Sequence, residues 1–324
     1  MVHAPGWKGE VPEDIDEVLE SPTPWFIAVG RTFTTNTPDD LEVVHAIQRG
    51  YKIFPLSEWN SPSPREAEPI GDVLDAFPKD APLGRFKTMN AAMKENPPPA
   101  RDAALLRQFA LVGLGPLATG NLDDQPASVR AGLERAQRDA HSLLQKVSED
   151  VGSITNQNRA RNGWTYNPAN WCRMADSGDF LGRAATQALS GGLENCIEEA
   201  VKLRTFTDQN GKSLNGSNRY MLRFSHGQIP KVKAFWSITL YDNRYNLVAN
   251  PIGRYAVRDI DPDLMREDDG SLIIHLQPMP PKGSKANWLP TPPGTDFNLF
   301  FRAYLPGEDF ISQQYEPPEV RRIQ

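Results

Sequence analysis

The sequence predicts an α+β protein. A helical middle region leads into an antiparallel, jelly-roll-like β-sandwich, with a small partial β/α segment at the N-terminus. Three observations predict it. From residue 201 onward, short alternating apolar segments recur between turn signals such as DQNGKSLNG, DDG and PPGTD, the pattern of a sandwich or barrel. Residues 101–162 instead carry their apolar side chains at helical spacing. The 29 prolines in 324 residues are about twice a usual share of roughly 5%, which implies stiff surface connections and limited room for uninterrupted helix.

The expected organisation is an N-terminal segment at 1–60, proline-rich linkers and helices at 61–162, and the sandwich domain at 163–324. In the first segment PWFIAVGRTF (24–33) reads as a buried strand. TPDDLEVVHAIQRGY (37–51) reads as a helix, with Thr37 as its cap, Pro38 at its first position and Asp39 and Asp40 at the positive end of its dipole. Leu41, Val44, His45 and Gln48 would share one face. NSPSPREAEP and KENPPPARD are linker-like, and DVLDAF and LGRFKTMNAAMKE between them are short helix candidates. RDAALLRQFALVG should form a helix that stops at Gly113. SVRAGLERAQRDAHSLLQKVSEDVGSI (128–154) is the clearest helix, with Val129, Leu133, Ala136, Ala140, Leu143, Leu144 and Val147 as its apolar stripe. GWTYNPANW reads as an aromatic loop, followed by a helix from about Asp179 to Ala200. NRYMLRFS, KAFWSITLYD, RYAVRD, SLIIHLQP and FNLFFRAYLP read as strands.

Composition excludes several functions. A net charge of −6 without any Lys/Arg-rich run argues against nucleic acid as a partner. No stretch approaches the ~20 apolar residues of a membrane span, and the first residues show no export signal. Cys172 and Cys196 read first as two buried thiols, with pairing left open, and no CxxC points to zinc. Nucleophile-elbow, dinucleotide-loop, phosphate-loop and zincin motifs are absent.

The runs AFWSITLYD, LVANPIGRYAVRD, DGSLIIHLQPMPP and NWLPTPPGTDFNLFFRAYLPGEDF resemble, in order, the module known as domain of unknown function 1214, over roughly residues 163–324. PGWKGEVP, PTPWFIAVGRTF and YKIFPLSEW resemble the closing half of domain of unknown function 1254, which usually precedes it. The resemblance implies a small β domain, a helical middle and a C-terminal jelly roll. It carries no settled activity. In that family further residues precede this point, often behind an export signal, so the strand at 24–33 is expected to lack its opening partners here.

The candidate ligand-binding residues are aromatics and arginines: Trp164, Tyr166, Arg183, Trp236, Tyr241, Arg254, Tyr255, Trp288, Arg302 and Tyr304. Strand alternation puts Arg302 and Tyr304 on one face of the last strand, with Phe301 and Ala303 on the other. An Arg fork beside rings suits an anionic, partly apolar molecule. The plainer alternative is that indole N–H and phenol O–H groups bond to backbone while the arginines tie loops together. Asp242, Asp259, Asp261, Asp269 and Asp296 are weak acid–base candidates, since most sit in turns where Asp bonds its own backbone. Ser237 and Thr239 would need a base to act as nucleophiles.

The leading expectation is therefore a protein that binds or acts on an amphipathic anionic small molecule where helices meet jelly roll. A metal-independent hydrolase or lyase is the reaction class considered, without commitment to enzymatic activity, and no cofactor is expected. One alternative is an assembly or surface-interaction module forming a homo-oligomer. The other is a cupin-like metal enzyme using His226, His275 and Asp242.

Overall fold

The computed structural model describes residues 1–35, 37–67, 77–78, 81–156, 160–190, 194–283 and 285–323. Its chain divides into two units, Met1–Ala140 and His141–Gln324.

In the first unit, two short parallel strands, β1 (Val2–His3) and β2 (Leu19–Glu20), pair near the start. Helix α1 (Pro38–Arg49) begins on its proline as expected, but Thr37 makes no side-chain capping bond. Asp40 instead ties the helix to the preceding chain, accepting from Thr34 Oγ1 at 2.9 Å and Thr35 N at 2.7 Å. Of the expected apolar face only Val44 is buried. The strand expected at 24–33 does not form: the segment is in no strand, and Ile27 is 76% exposed. An extended segment needs a hydrogen-bonded neighbour to persist as a strand, and among the described residues none pairs with it.

Helices α2 (Gly84–Glu95), α3 (Ala103–Ala110) and α4 (Ala127–Asn156) follow the sequence pattern. The chain leaves α3 through Gly113, whose φ of +78° favours a residue without Cβ. Leu83, Leu114, Leu122 and Leu133 form the unit's buried cluster, with Phe86, Met89, Phe109, Val112 and Val129 packed on it. The α4 stripe is therefore buried only near its start; Leu143 is 55% exposed. The helix expected at DVLDAF lies outside the described residues apart from Phe77.

The second unit holds two sheets. The six-stranded sheet runs β3 (Ala160–Arg161), β4 (Trp164–Tyr166), β5 (Ala200–Thr205), β11 (Phe297–Tyr304), β7 (Trp236–Asp242) and β8 (Ala256–Arg258). The four-stranded sheet runs β10 (Trp288–Pro290), β9 (Leu272–Gln277), β6 (Arg219–Phe224) and β12 (Arg321–Ile323). All pairings in these two sheets are antiparallel except β9 with β10. The inner faces share one apolar cluster. Phe301 sits at its centre, edge-on to Trp164, Phe224, Trp236, Phe310 and Tyr315 with centroids 5.8–6.1 Å apart. Such pairs prefer T-shaped contact because ring edges are positive and faces negative. The short helix α6 (Glu308–Ile311) delivers Phe310 to this cluster.

Two expectations change between residues 163 and 200. WTY of the supposed aromatic loop is strand β4, bonded to β5, because Trp164 and Tyr166 alternate inward around Thr165. The expected helix from Asp179 to Ala200 is only α5 (Phe180–Ser190), and Ala200 already belongs to β5. Cys196, within the span once read as helix, is joined to Cys172 by a disulfide with Cα atoms 5.0 Å apart. That overturns the reading as two buried thiols. Sequence separation alone could not report the Cα approach a disulfide requires. Among the described residues no helix is long and apolar enough to cross a membrane.

Candidate functional site

The structure sorts the ten candidate residues into two groups. Trp164, Tyr166, Trp236 and Trp288 are buried in the sandwich. Trp164 Nε1 donates to the Pro318 carbonyl at 2.8 Å, Tyr166 Oη to that of Tyr315 at 2.6 Å, and Trp288 Nε1 to that of Gln277 at 2.8 Å. Burial raises the Tyr166 and Tyr315 hydroxyl pKa values well above the ordinary one, so both stay neutral donors. Trp236 is equally buried, but its Nε1 has no hydrogen-bond partner among the described residues. Arg254 is committed to a loop: Nη1 donates to the carbonyls of Lys285, at 2.8 Å, and Ala286, and Nη2 pairs with Asp263 at 2.7 Å. Tyr255 is 37% exposed at the start of β8, and Arg183 is exposed on α5. Trp164, Tyr166, Trp288 and Arg254 are bonded as the structural alternative anticipates.

Arg302, Tyr241 and Tyr304 come together on the other face of the six-stranded sheet. Register places the side chains in rows. Lys202, Arg302, Ser237 and Arg258 stand abreast across β5, β11, β7 and β8. The next row is Thr165, Arg204, Phe300, Thr239 and Ala256. Arg302 Nη2 donates to the Tyr241 hydroxyl at 3.1 Å. Its guanidinium carbon lies 5.0 Å from the Phe300 ring centroid and 5.5 Å from that of Tyr241. Tyr241 and Tyr245 both meet Phe300 edge-on, at 5.3 and 6.1 Å. One row beyond Arg302, Tyr304 stacks on Phe235 at 4.4 Å. The result is a half-buried strip in which an Arg fork lies among five rings.

Phe300 was absent from the sequence candidates, although the alternation that joined Arg302 to Tyr304 also reaches it. Arg204 and Phe206 were missed for another reason: Arg204 lies on β5 and Phe206 just beyond its end, and one strand's sequence does not name its neighbour.

The carboxylates serve turns. Asp242 Oδ1 accepts from Arg244 N and Asn246 N, both at 2.8 Å, which lowers its pKa. Asp269 is lowered mainly by its bonds from Ser271. Asp261 accepts from Arg258 N and Nε, and Asp296 from Asn215 Nδ2. Asp259 is the exception, raised by burial while still accepting from Trp236 N at 3.0 Å. His275 lies on the four-stranded sheet and Asp242 on the six-stranded one. Among the described residues no group of three His, Cys, Asp or Glu is placed to hold a metal, so the cupin-like trio does not assemble. The first unit has a cleft of about 350 Å³ lined by Phe77, Lys87, Asn90, Lys94 and Asp123, crossed by a Lys87–Asp123 ion pair of 2.9 Å.

Comparison with solved structures finds the crystal structure of the VPA0106 protein from Vibrio parahaemolyticus, with a TM-score of 0.63 at 22% identity. The match covers all of this chain and 75% of that one. At that identity the likeness supports the fold. A protein from Burkholderia cenocepacia matches with a TM-score of 0.27 at 14% identity, over 74% of this chain and 52% of that one, too weak to compare folds. No curated protein matches the sequence. The family models find the two resembling modules in order, the second over a shorter span than its motifs suggested: residues 1–55 match "Protein of unknown function (DUF1254)", and residues 199–308 match "Protein of unknown function (DUF1214)".

Proposed function

We propose that the protein binds a small amphipathic organic anion on the outer face of the six-stranded sheet, with Arg302 as its anchor. One observation carries this reading: Arg302 is held by the faces of Phe300 and Tyr241 and by the Tyr241 hydroxyl, and no carboxylate among the described residues neutralises it. A guanidinium positioned by rings keeps donors free for a bidentate carboxylate, and the rings offer apolar cover to the rest of the ligand. The site lies on the sandwich itself. Ser237 and Thr239 share this face, but neither bonds to a His or carboxylate base among the described residues, so binding is a better-supported role than nucleophilic hydrolysis.

Calorimetric titration with benzoate tests it. Wild type should bind, and Arg302→Gln should weaken binding at least about tenfold, equivalent to about 1.4 kcal/mol. Equal affinity in both proteins removes the reading.

A second reading, self-association through the first unit, draws on the exposure of Phe26, Ile27, Val29, Phe33, Val43 and Ile47 there. A strict monomer by light scattering at high concentration removes it.

A further inference from the structure

We infer that the ligand of this face carries two separate acidic groups on a flat apolar body, and that Arg204 anchors the second. This rests on the Arg302 reading. Four cations occupy neighbouring positions on the face: Lys202, Arg204, Arg258 and Arg302. Two are neutralised from within the chain. Lys202 pairs with Glu194, and Arg258 Nε lies 2.7 Å from Asp261 Oδ1. The other two have no carboxylate partner among the described residues; Arg204, like Arg302, rests on a ring, with its guanidinium carbon 5.9 Å from the Phe206 centroid.

Their placement is what points to a ligand. Arg204 is the direct cross-strand partner of Phe300, the ring that Arg302 covers. Arg204 and Arg302 thus stand diagonally on adjacent strands, at backbone positions about 7–8 Å apart, within reach of each other for long side chains. Like charges so placed repel. The repulsion is relieved when an anionic group meets each guanidinium, and Phe300 supplies the apolar surface for the body joining the two groups. A monoacid can use only one of the forks. The chain neutralises the flanking cations and leaves the central diagonal pair, as a site for a diacid requires.

The experiment compares benzoate with the three benzenedicarboxylates by calorimetry on wild type, Arg204→Gln, Arg204→Lys and Arg302→Gln, each first checked for native unfolding behaviour. The expected wild-type result is a dicarboxylate, meta or para, binding at least tenfold tighter than benzoate. Arg204→Gln should collapse that ratio toward one, and Arg204→Lys, which keeps the charge and loses the fork, should give an intermediate ratio. If benzoate binds through Arg302 but every dicarboxylate binds no tighter, or if the ratio survives Arg204→Gln, the diacid inference is wrong and the Arg302 site stands. If Arg302→Gln leaves all four affinities unchanged, the site and the inference fall together.

Discussion

Arg302 and Tyr241 make two contacts at once: Nη2 donates to the phenol oxygen at 3.1 Å, and the guanidinium carbon lies 5.5 Å from the ring centroid. Asn298, two residues before Phe300 on β11, is the residue registered opposite Tyr241, so the arginine reaches diagonally to it. The pair fixes a cation by its flat surface and one donor, and among the described residues leaves the remaining donors of the fork uncommitted.

That arrangement separates stability from binding. Cation–π contacts at partly exposed sites are worth about 0.5–1 kcal/mol. Arg302→Gln should therefore cost about 1 kcal/mol in urea unfolding while weakening benzoate tenfold or more. Tyr241→Phe keeps the ring and should change affinity only a few-fold. A loss of several kcal/mol from Arg302→Gln would mean the residue is structural.

Two buried tryptophans should respond differently to the same substitution. Trp164→Phe removes a bond to the Pro318 carbonyl, whereas Trp236 has no indole partner among the described residues to lose. Both lose similar volume. Trp164→Phe should therefore be more destabilising, by about 1 kcal/mol, the net worth of an ordinary hydrogen bond. Denaturant midpoints of the two variants measure the difference.

The Cys172–Cys196 bridge closes a loop with a sequence separation of 24, and a loop of that length stabilises by about 3.5 kcal/mol in the chain-entropy account. Unfolding with and without reductant, or of the Cys172→Ser/Cys196→Ser double variant, should show a loss of that order. No change would show that the bridge does not constrain the unfolded chain.

His275 gives a pH dependence of fixed sign. Burial lowers its pKa below the ordinary 6.5, opposed by the charge of Glu267. The unfolded chain therefore takes up this proton first as pH falls. The contribution is complete above about pH 6.5 and is lost as pH falls through the lower folded value. Unfolding midpoints of wild type should decline across that window, and His275→Gln should flatten this part of the profile.

Much of the sandwich was legible because its strands alternate strongly: SLIIHLQP yields Leu272–Gln277, and FNLFFRAYLP yields Phe297–Tyr304. The failures share a cause. A strand at 24–33 depended on a neighbour that sequence cannot supply, and Trp164–Tyr166 became a strand because β5 was there to pair with it. The site was half legible. Arg302 and Tyr304 followed from alternation within one strand, while Arg204, Lys202 and Arg258 joined them only through register. Arg254, equally prominent in the sequence, proved occupied by the carbonyls of Lys285 and Ala286. Nothing in the local sequence distinguishes a guanidinium held by carbonyls from one held by rings.

The most direct test of the central claim is a crystal structure of the protein grown with saturating benzoate. The account predicts a carboxylate within hydrogen-bonding distance of the Arg302 guanidinium, about 2.7–2.9 Å, with the benzoate ring against Phe300 or Tyr304. Benzoate bound elsewhere, with the Arg302–Tyr241 face bare, would contradict it.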